Sequence, residues 1–88
     1  MLEHEVRKII LEETSKKADC HADRIRNETS LKTDLRLDSM AFVELVIAIE
    51  QRLDAEIGIS EAQFSALHMY WRFADAIISD VRSRGIIR

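Results

Sequence analysis

Ser39, preceded by Asp38, is the residue of this 88-residue chain whose type and position best suit covalent chemistry. An apolar-periodic segment follows the pair, so we expect Asp38 to be a helix N-cap and Ser39 to lie in the first turn. Backbone N–H groups in that turn lack intrahelical acceptors, and the helix dipole favours an anion there. A phosphate ester on Ser39 would be tolerated, and Asp38 could bind a divalent cation during phosphoryl transfer. Serine near a helix start is more often only a cap, so the pair alone does not decide between these roles.

Periodic apolar positions predict the helices that would hold this serine. The chain has no proline and only two glycines, which favours an all-α fold. We predict a helix over about residues 3–17, a second over 39–53, a short third over 61–67 and a last over 70–84. The expected architecture is a small four-helix bundle, three main helices plus one short helix, in one domain over residues 1–88. The predicted apolar faces of the main helices are Leu2, Val6, Ile9 and Ile10, with Glu13 at the same spacing; Phe42, Leu45, Val46, Ile49 and Leu53; and Trp71, Ala74, Ile78 and Val81 with Phe73 and Ile77 beside them.

The connection between the first two helices, residues 18–38, is polar and long for a domain of this size. We expect four isolated apolar side chains to pin it to the core, namely Ile25, Leu31, Leu35 and Leu37. Ser60 and Gln63 predict a capping box before the short helix, and Gly85 is expected just beyond the last helix.

The second helix has more apolar residues than a small core can cover. Met40 and Ile47 lie outside its predicted buried face, so we expect them to be exposed, with Glu44 and Gln51 on the same side. An exposed apolar strip edged by carboxylates usually marks a partner surface, although a central and fully covered helix would give the same pattern.

Charge and cysteine content exclude several classes of function. The formal net charge is −3, and residues 34–61 hold seven acidic and two basic side chains, which repels nucleic acid and suits basic partner surfaces. Acidic residues that merely solvate an exposed helix face would give the same balance. Cys20 is the only cysteine and the charged N-terminus is no signal sequence, so we expect a cytoplasmic location. The apolar runs are too short for membrane insertion.

No metal site or catalytic constellation is predicted. Cys20 and His21 are adjacent, but a second cysteine or a spaced pair of histidines is missing. No nucleophile is matched with an acid–base pair, so we do not expect an enzyme.

The residues around Ser39 resemble the motif of the acyl carrier protein family. The string is Leu31-x-x-Asp34-Leu35-x-Leu37-Asp38-Ser39-Met40, then Phe42-Val43-Glu44-Leu45-Val46-Ile47-Ala48-Ile49-Glu50. In that family the serine of an Asp-Ser-Leu motif opens the second helix and carries 4′-phosphopantetheine. The resemblance covers nearly the whole chain, including residues 6–10, 56–57 and 74–77.

The resemblance implies a carrier whose arm on Ser39 ends in a thiol that holds acyl groups as thioesters. Asp38 would be the neighbour of Ser39 in the attachment reaction. The implied partners are a phosphopantetheinyl transferase, an acyl-loading ligase or transferase, and downstream synthase enzymes, and we expect a monomer. The family's docking face corresponds to Met40, Ala41, Glu44 and Ile47, with Glu50 at its edge. Acyl chains in the family can enter between the helices, here a core of Leu45, Ile49, Ile57 and Phe64.

Three departures from the family pattern bear on function. Arg36 stands where the family often has glycine, and it would either pair with the arm's phosphate or simply be exposed. Met40 replaces the usual leucine, a swap of similar volume. Ala41, Gln51 and Arg52 replace acidic residues of fatty-acid carriers, which predicts a dedicated partner set in a specialised lipid, polyketide or related pathway. An aminoacyl or peptidyl carrier and an unmodified helical adaptor remain alternatives.

Overall fold

The computed structural model describes residues 1–87, which fold into three α-helices and two 3₁₀ turns. The helices are α1 (Glu3–Ala18), α2 (Ser39–Leu53) and α3 (Tyr70–Ser83), and the turns are Ala22–Arg24 and Glu61–Gln63. No strand occurs within these residues; a single antiparallel bridge joins Ser30 to Met69. The all-α prediction is confirmed, and each main helix begins and ends within one residue of its predicted bounds.

The core is formed where the apolar faces of the three helices meet. All five residues of the predicted α2 face are buried, and Phe42 is at its centre, with ring centroids 4.9 Å from Phe64 and 5.4 Å from Phe73. Burying large apolar side chains of this kind contributes about 1.5–3 kcal/mol each.

Two residues assigned to the core from the sequence lie at the surface. Leu2 is 53% exposed because it is the N-cap of α1 rather than part of the helix. Trp71 is 39% exposed because the centre of the α3 face runs through Phe73, Ile77 and Val81, which are fully buried. At 100° per residue Trp71 falls on the flank of that face, so its assignment to the core was wrong.

The short third helix predicted over residues 61–67 does not form. Only the 3₁₀ turn Glu61–Gln63 is present, followed by irregular turns. Of the capping box, the Ser60 N–H donates to Gln63 Oε1 at 2.9 Å. Phe64 is buried as expected, but the segment has too few apolar residues and too little length to stabilise an α-helix.

The helix ends carry favourable terminal residues: acidic side chains in a first turn, and residues with a left-handed backbone conformation after a last turn. Glu3 and Glu5 lie in the first turn of α1, and its C-cap, Asp19, has a positive φ of 53°. Gly85, with φ of 79°, ends α3 in a Schellman motif: its N–H donates to Arg82 O at 3.1 Å, and the next N–H donates to Val81 O at 3.0 Å.

Main-chain hydrogen bonds fasten the long connection to the start of α3. The Leu31 N–H donates to His68 O at 2.6 Å, and the Tyr70 N–H donates to Thr29 O at 2.8 Å. A third bond runs from the Trp71 N–H to Asn27 O at 3.2 Å, so two first-turn donors of α3 are satisfied by the connection. Of the four predicted apolar anchors, Ile25, Leu31 and Leu37 are buried and Leu35 is half-buried.

A buried carboxylate ties α1 to α2. The side chain of Glu13 is only 9% exposed, and its Oε2 accepts from Arg52 Nη1 at 2.8 Å and from Lys16 Nζ at 3.3 Å. Because the charge is paired with two cations, its burial on the apolar face of α1 is tolerated.

Candidate functional site at the start of the second helix

Ser39 is the first residue of α2, as the sequence predicts. Asp38 is the N-cap, with extended backbone, and its Oδ1 accepts from the Ala41 N–H at 2.8 Å. The Asp38 carbonyl accepts from the Phe42 N–H at 2.9 Å, which is the first bond of the helix. The capping prediction is therefore confirmed, and it places the Ser39 side chain at the positive end of the helix dipole.

The Ser39 hydroxyl is free and reached by solvent. It makes no hydrogen bond with any of residues 1–87, although Ser39 is half-buried overall. Among those residues no fully buried side-chain oxygen or nitrogen lacks a partner, so the unbonded Oγ is at least partly accessible to solvent. A serine whose hydroxyl is not used as a cap, beside a residue that is the cap, is available for chemistry.

Buried apolar side chains on both sides of the pair fix its position. Leu37 is 7% exposed, and its N–H donates to Leu31 O at 2.9 Å; Phe42, one turn into the helix, is fully buried. Asp38 and Ser39 are thus held at the surface between two anchors in the core.

Arg36 adopts a left-handed backbone conformation with φ of 57°. Glycine adopts this conformation without steric cost, which gives a physical reason for glycine at this position in the family that the sequence resembles. The Arg36 side chain is exposed and makes no ion pair among the described residues.

The exposed face of α2 combines apolar and charged side chains. Met40 is 71% exposed and Ile47 is 45% exposed, as predicted, and Glu44 and Gln51 lie exposed on the same side. Ala41 is half-buried beside them. This exposed α2 face, comprising Met40, Glu44, Ile47 and Gln51, begins one residue after Ser39.

Glu50, expected at the edge of the docking face, is partly covered by the connection after α2. It is half-buried, and its Oε2 accepts from the Ile57 N–H at 2.8 Å, in the connection after α2. The carboxylate therefore holds that connection in place. The four side chains considered as an acyl-chain lining are all buried: Leu45, Ile49, Ile57 and Phe64.

The sequence did not predict two features of the structure, an ion pair between helices and a cleft. In the ion pair, Lys17 reaches from the last turn of α1 to Glu44, with Nζ 2.7 Å from Oε1. A cleft of about 800 Å³ lies between α1 and α3, where Trp71 forms part of the wall and the Arg72 guanidinium is 4.8 Å from its ring centroid. Both depend on how helices are placed against one another, and no local sequence signal reports that.

The same cleft contains Tyr70, and no residue of α2 lines it. Burial raises the pKa of Tyr70 to about 12, although Arg7 nearby acts in the opposite direction. The phenol therefore stays protonated at neutral pH. Because no residue of α2 lines the cleft, it is separate from the site at Ser39.

Comparisons with known proteins settle the family. The family model described as "Phosphopantetheine attachment site" matches residues 6–67, which include Ser39 and all of α2. Acyl carrier proteins from three strains of Buchnera aphidicola subsp. Acyrthosiphon pisum (Tuc7, 5A and APS) are each 39% identical to the chain over 62 residues, covering 70% of this chain and 72% of theirs. The chain belongs to the acyl carrier protein family. No solved structure matches it significantly.

Acyl carrier proteins are carriers and not enzymes, and phosphopantetheine is their prosthetic group. Membership in the acyl carrier protein family also implies interaction with a phosphopantetheinyl transferase and with acyl-handling enzymes. No group of His, Cys, Asp and Glu side chains that could hold a metal ion occurs within residues 1–87. None of the helices described there has the length and apolar character needed to cross a bilayer.

Proposed function

We propose that this chain carries an acyl intermediate as a thioester on a 4′-phosphopantetheine arm joined to Ser39 through a phosphodiester. The observation that carries the proposal is the Ser39 hydroxyl, which is in contact with solvent and unbonded at the first residue of α2. In the attachment step the Ser39 oxygen forms a bond to the pantetheine-side phosphorus of coenzyme A. The phosphoanhydride P–O bond at that phosphorus breaks, adenosine 3′,5′-bisphosphate leaves, and the hydroxyl proton passes to a base of the transferase or to water. A helix N-terminus stabilises the anionic product through its dipole and its unpaired N–H groups.

Asp38 has two roles that use different oxygens. Oδ1 caps the helix through Ala41, whereas Oδ2 makes no hydrogen bond among residues 1–87. The unoccupied oxygen can bind the divalent cation that a transferase brings with its phosphate substrate, because hard cations take carboxylate oxygen ligands. The cap fixes the direction of this oxygen relative to Ser39.

Arg36 is the side chain that we propose to contact the phosphate of the arm. It is exposed, lies three residues before Ser39, and makes no ion pair among the described residues. Arginine pairs well with phosphate oxygens because its donors form a planar fork.

We further propose that partner enzymes dock on the exposed α2 face, with Ala41 and Glu50 at its margins. The exposure of Met40 and Ile47 beside the attachment residue supports this assignment. The loss of acidic residues at Ala41, Gln51 and Arg52 relative to fatty-acid carriers supports a specialised lipid, polyketide or related pathway. Its acyl-loading ligase or transferase and its synthase enzymes would act in the cytoplasm, in keeping with the lone Cys20.

Intact-protein mass tests the attachment residue. The chain is incubated with coenzyme A, Mg²⁺ and a broad-specificity phosphopantetheinyl transferase. We expect the mass of one arm to be added to the wild-type chain and to Ser60→Ala, a control at another N-cap serine, but not to Ser39→Ala. Addition to Ser39→Ala would place the arm elsewhere, and failure with several transferases would favour the unmodified adaptor.

The cargo is tested with the modified protein. Loading with acyl groups by an acyl ligase, without loading by amino-acid-activating enzymes, supports the acyl carrier over the aminoacyl or peptidyl carrier. Elongation by a general fatty-acid synthase at the rate of its own carrier would contradict the specialised pathway.

A further inference from the structure

The charged residues of α2 are engaged within the protein itself. α2 contains three, Glu44, Glu50 and Arg52. Arg52 donates to two carboxylates of α1, at 2.8 and 3.1 Å. Glu50 accepts the N–H of Ile57, which leaves Glu44 as the one acidic residue of α2 on its exposed face.

Glu44 already has a cation supplied by the same chain. Lys17 Nζ lies 2.7 Å from Glu44 Oε1, and the side chains are 33% and 55% exposed. Lys17 extends from the end of α1, where the helix dipole favours a positive charge, so the lysine is also stabilised in its own helix. A basic side chain of a partner that pairs with Glu44 would meet a carboxylate whose charge Lys17 already balances, so it would gain less from the pair.

Apart from the neutral Gln51, what remains on this face beside the ion pair is apolar. Met40 lies one turn before Glu44 and Ile47 lies one turn after it, and both side chains are exposed. An ion pair flanked by two apolar side chains presents no net charge to an approaching protein. The complement of such a surface is an apolar pocket rather than a group of lysines and arginines.

The inference rests on the proposed function, in which partner enzymes dock on the exposed α2 face. We propose that Lys17 neutralises Glu44 as a docking anion, so that this face selects partners with an apolar pocket for Met40 and Ile47 and disfavours partners with a basic docking surface. Lys17 is a specificity-determining residue whose ammonium pairs with Glu44 and makes no hydrogen bond with Ser39. Exposed ion pairs change equilibria by about fivefold at most, so Lys17 biases the choice of partner rather than forbidding one.

The test compares Lys17→Gln with Lys16→Gln. Both variants lose one positive charge in the last turn of α1, but Lys16 pairs with Glu13, which keeps Arg52 as a partner. The measured quantity is kcat/KM for modification by a phosphopantetheinyl transferase with a basic carrier-binding surface, from about 10 to about 150 mM NaCl. Over that range the Debye length falls from about 30 to about 8 Å.

We expect Lys17→Gln to raise kcat/KM by about two- to fivefold over wild type at low salt and to lose this advantage as salt increases. Lys16→Gln should give a smaller gain at low salt, because it removes the same net charge but uncovers no carboxylate on the exposed α2 face. In a Glu44→Gln background the advantage of Lys17→Gln over Lys16→Gln should vanish, because the carboxylate that it uncovers is gone.

Equal salt dependence of the two lysine variants would overturn the role of Lys17, as would an advantage of Lys17→Gln over Lys16→Gln that persists without Glu44. In both cases modification of Ser39 would leave the carrier function intact. Absence of modification of the wild-type chain, where another acyl carrier protein reacts in the same mixture, would instead overturn the proposed function and this inference with it.

Discussion

Arg36 carries a backbone cost that the glycine common in this family would avoid. A left-handed conformation costs a non-glycine residue about 1–2 kcal/mol, while glycine costs about 0.4–1 kcal/mol in unfolded-state entropy. We therefore expect Arg36→Gly to raise the free energy of unfolding of the unmodified protein by about 0.5–1 kcal/mol. Urea denaturation measures the change.

Arg36→Ala separates backbone strain from charge. It removes the guanidinium but keeps a Cβ at a positive φ, so it should not be stabilised in the way that Arg36→Gly is. Equal stabilisation by both substitutions would show that removal of the arginine side chain, rather than relief of strain, is responsible.

Ile47 distinguishes a docking surface from a core. Because its side chain is 45% exposed, Ile47→Glu should alter the free energy of unfolding by only about 0.5 kcal/mol. Its kcat/KM with a docking enzyme should fall by about tenfold, equivalent to about 1.4 kcal/mol. Ile47→Gln controls for the added charge next to Glu44. A loss of about 2 kcal/mol or more in the free energy of unfolding is what a substitution in the core causes, and it would mean that Ile47 belongs to the core.

At the scale of the helix, Asp38 caps α2 and is also the residue that we propose to assist attachment at Ser39. Asp38→Ala removes the acceptor for the Ala41 N–H and should cost about 1 kcal/mol of stability. Asp38→Asn should retain stability, because asparagine caps as well as aspartate, but it should slow attachment of the arm since the carboxylate is lost. Stability and attachment rate are measured on both variants; normal attachment in Asp38→Asn would confine this residue to capping.

The helices were predictable because their signals are local. Phe42, Leu45, Val46, Ile49 and Leu53 repeat at helical spacing, Asp38 is a strong cap, and together they place Ser39 correctly from the sequence alone. The motif around Ser39 supplied the family resemblance that the comparisons confirm.

Features set by packing between elements could not be predicted in this way. Trp71 was misplaced because its spacing fits the edge of a helical face, and only the position of α1 decides how far that face is covered. The pair of Lys17 with Glu44 joins residues 27 positions apart, and nothing in either local sequence reports the other. The prediction of a third helix over residues 61–67 was wrong because two inward side chains do not define a helical face.

At the scale of the whole molecule, acid sensitivity should depend on the carboxylate between α1 and α2. Burial alone raises the pKa of Glu13, but hydrogen bonds from Arg52 and Lys16 outweigh it and lower the pKa below its ordinary value of 4.5. A folded-state pKa below the unfolded one gives stability above pH 4.5 that is lost as pH falls through the folded value.

We therefore expect the thermal midpoint to drop between about pH 5 and the lower folded-state pKa of Glu13, and Glu13→Gln to make this drop smaller. Glu28→Gln is the control, since Glu28 is exposed and makes no ion pair within residues 1–87. Thermal unfolding across the pH range measures both variants. An unchanged drop in Glu13→Gln would assign acid sensitivity to other groups, such as Glu3, whose pKa is lowered by Arg7 and Arg82.

The hydrogen bonds between residues 27–31 and 68–71 limit the movement of the segment that precedes Ser39. Because they are formed by main-chain atoms and lie next to the buried Leu31, the segment leading to Ser39 cannot swing out like a hinged tether. In the proposed function, the distance over which a thioester travels between catalytic centres would then come from rotation about the bonds of the arm and from tumbling of the entire protein, with the Ser39 oxygen as the fixed point.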